Sequence, residues 1–169
     1  QTIADCINAC PDEIYFTSGG TESDNWAIKG VAFSDVNKNA VITSAIEHHA
    51  VLRSCEDIER LGYPVAYLTP DSDGVIYPET LKKIITQNTK LVSIMLSNNE
   101  IGTIEPIKEL ANVAHENDTL FHTDAVQALG HIKVDVKDLG VDLLSASAHK
   151  FNGPKGIGFL YIKNGVEIS

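Results

Sequence analysis

Glu13-Ile14-Tyr15-Phe16-Thr17-Ser18-Gly19-Gly20-Thr21-Glu22 decides the fold: a short apolar run, a turn of small residues, and the opening of a helix. The helix pattern continues to Phe33, with Ala27, Ile28, Val31 and Ala32 on one face. A strand that ends in small residues and feeds a helix leaves backbone N–H groups free at the positive end of the helix dipole. A phosphate fits such a site. The glycines let the backbone approach closely, and the Thr21 hydroxyl can donate a further bond. An ordinary helix N-cap explains the same residues. No Gly-Lys-Ser/Thr ending follows, so the turn is not a nucleotide P-loop.

The alternation of strand and helix runs on from there. Helices are expected over Gln1–Ala9, Thr21–Phe33, His49–Leu61, Pro78–Thr86 and Pro106–Glu116, with Pro78 and Pro106 as first-turn prolines. Strands are expected over Glu13–Thr17, Ala40–Thr43, Pro64–Leu68, Lys90–Leu96, Leu120–Thr123, Leu143–Ser145 and Gly158–Ile162. This order implies an α/β fold, a mostly parallel mixed sheet with helices on both faces. There is no internal repeat and no low-complexity linker. Asp71-Ser72-Asp73-Gly74 resembles the start of a calcium loop in its acidic spacing, but the remaining ligands and the closing Glu are missing, so it reads as a plain turn.

At the other end of the chain, Ser147-Ala148-His149-Lys150-Phe151-Asn152-Gly153-Pro154-Lys155-Gly156 sets a lysine beside a histidine and ahead of a tight turn. A lysine confined there, with its ammonium desolvated, falls below its free pKa of about 10.4 and can condense with an aldehyde. Pyridoxal phosphate (PLP) is the obvious aldehyde; a solvated loop charge is the plain alternative.

A PLP site also needs a carboxylate for the ring nitrogen and a surface for the ring face. The apolar run before Asp124 delivers that acid, then Gln127, to the carboxyl edge of the sheet, where ligands of open α/β sheets bind. A carboxylate and a pyridinium attract by about 4 kcal/mol at an effective dielectric of 20, before desolvation is subtracted. Gln127 could donate to a phenolic oxygen, and Asp124 could equally cap a helix beginning at Ala125. Glu47-His48-His49-Ala50 follows a strand and opens a helix, so His48 can cover a ring and handle protons, or simply cap the helix. A metal reading of His48 and His49 is weaker, because helix neighbours diverge and no further ligand follows at zincin spacing. In Ser97-Asn98-Asn99-Glu100-Ile101-Gly102, Asn99 can give a neutral hydrogen bond to a ring or to a substrate carboxylate, or belong to an Asn-rich turn.

In this order the segments resemble the cysteine desulfurase branch of the class V aminotransferase-like, PLP-dependent enzymes of fold type I. The resemblance covers nearly the whole chain. It rests on Phe16 to Ser23, Glu47 to Leu52, Asn98 to Gly102, His122 to Gln127 and the Lys150 segment. It implies that Lys150 holds PLP as a Schiff base, with Lys150 and His48 as the catalytic pair. It further implies that Asp124 pairs with the ring nitrogen, Gln127 meets the phenolic oxygen, His48 stacks on the ring and Asn99 binds near its substituents. Gly20, Thr21, Ser147 and His149 would hold the phosphate. In that family L-cysteine displaces the lysine, the freed lysine moves a proton from Cα, and a separate protein cysteine attacks the substrate sulfur. L-Alanine and a persulfide result, the sulfur serving iron–sulfur cluster assembly or tRNA thiolation. A selenocysteine lyase, or a non-catalytic remnant of the same fold, would keep the same residues.

The chain departs from the family pattern in its thiols. Cys6 and Cys10 are expected one turn apart on a helix and Cys55 inside another, all three as small buried hydrophobes. None occupies the position of the sulfur-accepting cysteine, which lies in a carboxyl-terminal domain together with the substrate-carboxylate arginine. Residues 1–169 therefore read as an internal fragment of the PLP-binding large domain, with little or no turnover expected of the segment alone. The family implies a homodimer that serves a sulfur-acceptor or iron–sulfur scaffold protein.

Composition sets outer bounds. A chain of 169 residues can bury roughly 68–70% of its extended surface, enough for one domain. Its net charge of −10 opposes a nucleic-acid or anionic-membrane partner, and no apolar run approaches a membrane span. Three cysteines without paired spacing suit a reducing cytoplasm.

Overall fold

The computed structural model describes residues 1–34 and 38–169. The elements, in chain order, are α1 (Thr2–Ile7), β1 (Ile14–Thr17), α2 (Gly20–Ser34), β2 (Ala40–Ser44), α3 (His49–Arg60) and β3 (Val65–Leu68). They continue with α4 (Pro78–Lys82), β4 (Thr89–Ser93), α5 (Ile107–His115), β5 (Leu120–Asp124), α6 (Val136–Leu139), β6 (Leu143–Ser147) and β7 (Gly158–Ile162). Two 3₁₀ turns, Pro11–Glu13 and Ala148–Phe151, precede β1 and follow β6.

One seven-stranded sheet takes the order β1-β7-β6-β5-β4-β2-β3. Strand β7 alone is reversed, antiparallel to both β1 and β6, while β6, β5, β4, β2 and β3 pair in parallel. The α/β class and the mostly parallel mixed sheet expected from the alternation are borne out. Consecutive residues of a strand point to opposite faces, and the core divides accordingly. Val41, Leu91, Leu143 and Leu160 pack with Ala27, Ile28 and Val31 of α2 and Val51, Cys55 and Ile58 of α3. Their neighbours Ile42, Val92, Leu144, Phe159 and Tyr161 join Ile7, Leu81, Leu110 and Val136 from α1, α4, α5 and α6 on the other face. Strand apolar on both sides is what a doubly covered sheet requires.

Several boundaries differ from the pattern reading, each for a local reason. Helix α4 ends at Lys82 instead of Thr86, where the β-branched run Ile84-Ile85-Thr86 resists helical χ1 angles. Pro106 is the N-cap of α5 and not its first residue. Regular pairing of β4 stops at Ser93, although Ile94 and Leu96 still donate to the carbonyls of His122 and Asp124. Helix α6 was not anticipated: at four residues it shows no periodicity, yet Asp135 caps it by accepting from the N–H groups of Lys137 and Asp138, and Gly140 closes it. Asp71 is a plain turn residue that accepts from the N–H groups of Asp73 and Val75. Among the described residues no helix is long and apolar enough to cross a membrane.

The thiols require a correction. Cys55 is buried on α3, but Cys6 and Cys10 are exposed: α1 buries Ala4 and Ile7 and leaves Cys6 outside, and Cys10 lies beyond the helix as the cap of the 3₁₀ turn that Pro11 begins.

Candidate functional site

Strands β2 and β4 are neighbours whose chain continues in opposite directions across the sheet, to β3 on one side and β5 on the other. Such a switch point opens a crevice at the carboxyl ends of the strands. A cavity of about 220 Å³, open to solvent, lies there, walled by the loops that leave β1, β2, β4, β5 and β6. Gly20, Thr21, His48, Asn99, Asp124, Gln127, Ser147, His149 and Lys150 all line it, so the structure brings every residue singled out in the sequence to one place. Asp24, Met95 and Val126 line it as well and were not anticipated.

Helix α2 begins at Gly20, and its first-turn amides lack carbonyl partners within the helix. Ser18 N–H donates to the Glu22 carboxylate, which fastens the turn from outside the cavity and draws that acid below its ordinary range. A Cβ placed on Gly20 would stand 2.5 Å from Cγ2 of Val126, so a side chain there would fill the space in front of the helix start. Across from it, Ser147 is buried at the end of β6 and its Oγ lies 2.9 Å from Nδ1 of the exposed His149. The turn after β1 is held close to the sheet: a Cβ on Gly158, the first residue of β7, would stand 2.6 Å from Cα of Gly19.

Asp124 is 4% exposed at the tip of β5, and its Oδ1 accepts from Val126 N–H at 2.8 Å. A turn follows, so the helix it could have capped does not exist. Burial raises its pKa, opposed by the Val126 N–H and by the fields of His48 and Lys150. A cation beside this carboxylate would be strongly favoured. His48 is the N-cap of α3: Nδ1 accepts from Ala50 N–H at 3.1 Å, which leaves Nε2 as the ring's proton-bearing atom. Its two readings, cap and cavity wall, are both realised. In the loop after β4, buried Asn98 donates to Ile46 C=O and accepts from the N–H groups of Glu100 and Ile101. Asn98 thus fixes the loop, and the next residue, exposed Asn99, is presented to the cavity.

Lys150 sits in the 3₁₀ turn Ala148–Phe151. Its carbonyl lies 3.0 Å from Nε2 of His131, which anchors the turn to the chain after β5. Its side chain is exposed, and this corrects the expectation of a confined lysine: within these residues nothing dries it.

Asp24 is 1% exposed, one turn into α2. It shares the inward face of α2 with Ala27, Ile28 and Val31, and an acid in an apolar helical stripe was the available signal. Asp24, His48 and Asp124 each offer a donor atom within 4.8 Å of the other two. Lining an open cavity between a helix start and an amine, this donor set fits a phosphorylated pyridine aldehyde. Phosphate suits the cradle of Gly20, Thr21, Ser147 and His149, a protonated ring nitrogen suits buried Asp124, and an aldehyde carbon suits Lys150.

The family model for aminotransferase class-V matches residues 1–168. Cysteine desulfurase IscS of Clostridium botulinum (strain Hall) is 55% identical over 169 residues, covering 99% of this chain and 43% of that protein. The protein of the same name from Dictyoglomus turgidum is 59% identical over 169 residues, with the same shares covered. The solved structure of SspA in complex with cysteine superposes with a TM-score of 0.95 at 46% identity, covering 99% of this chain and 49% of that one. A NifS-like protein does so with a TM-score of 0.95 at 44% identity, over 98% of this chain and 46% of that one. The chain thus spans less than half the length of these curated relatives. With the crevice, the lysine turn and the helix-start cradle in place, and a match that runs over nearly every residue, the chain belongs to the class-V aminotransferase family.

Proposed function

We propose that the full-length protein is a PLP-dependent cysteine desulfurase and that this chain is most of its cofactor-binding large domain. One observation carries the reading: a lysine, a buried acid at a strand tip and a helix-start anion cradle, far apart in sequence, face one cavity. The names of the similar proteins, cysteine desulfurases and a complex with cysteine, support L-cysteine as substrate.

When bound, PLP supplies an electron sink for the substrate carbon attached to it. Asp124 holds a proton at the ring nitrogen, which keeps that sink effective. Lys150 would be the covalent anchor for the aldehyde and, as a free amine, would move a proton at the substrate Cα. His48 would cover the ring face and offer Nε2 for proton handling. Gln127 would donate to the phenolic oxygen, Asn99 would bind near the ring substituents, and Gly20, Thr21, Ser147 and His149 would hold the phosphate. Products are L-alanine and a persulfide formed on a protein thiolate outside this chain. A homodimer in the cytoplasm, passing sulfur to an iron–sulfur scaffold or to tRNA thiolation, completes the proposal.

The test is an absorbance spectrum of the full-length protein with PLP, before and after borohydride. A near-violet band is expected, fixed to Lys150 on reduction and absent in Lys150→Ala with the fold retained. A band of unchanged strength in that variant would move the anchor elsewhere, Lys155 first, and failure to form alanine from cysteine would overturn the activity.

A further inference from the structure

Asp24 is an acid in the cavity wall that no role above uses. Its Oδ1 is buried without a hydrogen-bond partner, and an ionised carboxylate so placed would lack the donors that make burial tolerable. Its fully buried neighbour His122 does not supply a positive charge. His122, beneath it on β5, has Nε2 3.7 Å from that oxygen, but the ring already shares Nε2 with Ser145 Oγ at 2.9 Å and Nδ1 with Ser93 Oγ at 2.8 Å. Burial pushes His122 down to about 3, so it is neutral at physiological pH. The other titratable groups facing Asp24 are Asp124 from β5 and Glu47 from the loop after β2, both acids, and His48 at the start of α3. Burial and then Asp124 raise the pKa of Asp24, opposed by the Ser145 hydroxyl.

We propose that Asp24 is a positioning residue of the ring-nitrogen site: it remains a neutral carboxylic acid, so that the two acids at the cavity floor carry one negative charge, held on Asp124 where the cofactor ring arrives. This rests on the PLP reading above. Two carboxylates within 4.8 Å in a dry wall do not both ionise, and the one with an N–H donor keeps the charge. Asp24 adds a polar wall and a hydroxyl donor beside Asp124 without adding a second charge.

The test compares the full-length protein with Asp24→Asn and Asp24→Ala, each loaded with PLP labelled with ¹⁵N in the ring. If Asp24 is neutral, the isosteric neutral amide should leave the ring-nitrogen shift, its pH dependence and PLP affinity within about twofold of the parent. Asp24→Ala, which leaves a polar void beside Asp124, should weaken PLP binding by about tenfold and move the ring-nitrogen titration. The infrared difference spectrum of the parent minus Asp24→Asn should show one protonated-carboxyl stretch at neutral pH, any contribution from Glu47 cancelling because it is common to both, a readout that stands even if the alanine variant does not fold. Asp24→Asn as damaging as Asp24→Ala, or no such stretch, would overturn the inference, as would an alanine variant indistinguishable from the parent. A parent protein that binds no PLP would instead sink the cofactor reading itself.

Discussion

His48 Nδ1 accepts the Ala50 N–H at 3.1 Å, so a single imidazole both caps α3 and walls the cavity. The two duties separate by substitution. Asn is as good an N-cap as any residue, so His48→Asn should unfold at the parent's denaturant midpoint, whereas His48→Ala should lose about 1 kcal/mol. Both should lower kcat by about 10²-fold or more through loss of the ring and its Nε2 proton. Urea titrations and steady-state alanine formation on the full-length protein check the split.

Only glycine leaves room in front of α2, because Val126 Cγ2 would meet a Cβ at position 20 at 2.5 Å. Gly20→Ala should weaken PLP binding by about tenfold or more, since overpacking a fitted site costs about 1–3 kcal/mol. The clash is with a side chain, so adding Val126→Ala should recover most of the affinity. Equilibrium dialysis of PLP against the single and double variants reads the outcome; no recovery would place the clash elsewhere.

Glu47 is buried beside the site, its Oε1 accepting from Ser44 Oγ and Met95 N–H while Oε2 has no partner. Burial pushes it up to about 8 from an ordinary 4.5, with Asp124 and Glu105 adding to the rise. A folded pKa above the unfolded one means that the native state binds more protons, so this group makes stability fall as pH climbs from about 4.5 to about 8. In Glu47→Gln that slope should flatten. Urea midpoints measured across this range are the check, and an unchanged slope would assign it to another group.

Cys55 is fully buried on α3, and burial, then the charge of Glu47, pushes its thiol up to about 12. It should resist thiol reagents in the native protein and react only after unfolding. Mass spectrometry of alkylated protein, native against denatured, distinguishes Cys55 from the other two; native labelling at Cys55 would contradict its burial.

The legible parts of the sequence were those where local chemistry decides. Gly158–Ile162 was bounded to the residue by turn chemistry on one side and an apolar run, and the site loops stood out because small, polar and ionisable residues follow apolar strands. Strand order and the reversal of β7 were not legible, since pairing joins residues far apart in sequence. Exposure is not legible for the same reason. Cys6, Cys10 and Lys150 were expected to be buried or confined from residue type and neighbours, but whether anything covers them depends on distant segments. Asp24 is hard to single out in the sequence because an acid in the first turns of a helix usually serves the dipole; here helical phase turns it inward.

The close approach of Gly158 to Gly19 joins the loop proposed as the anion cradle to the strand leading away from the lysine turn. A methyl group at position 158 would stand 2.6 Å from both Cα of Gly19 and the Ala146 carbonyl oxygen, so the spacing of the two segments depends on that one missing side chain. A bulky replacement at position 158 would therefore disturb phosphate grip and imine formation together, though it touches neither.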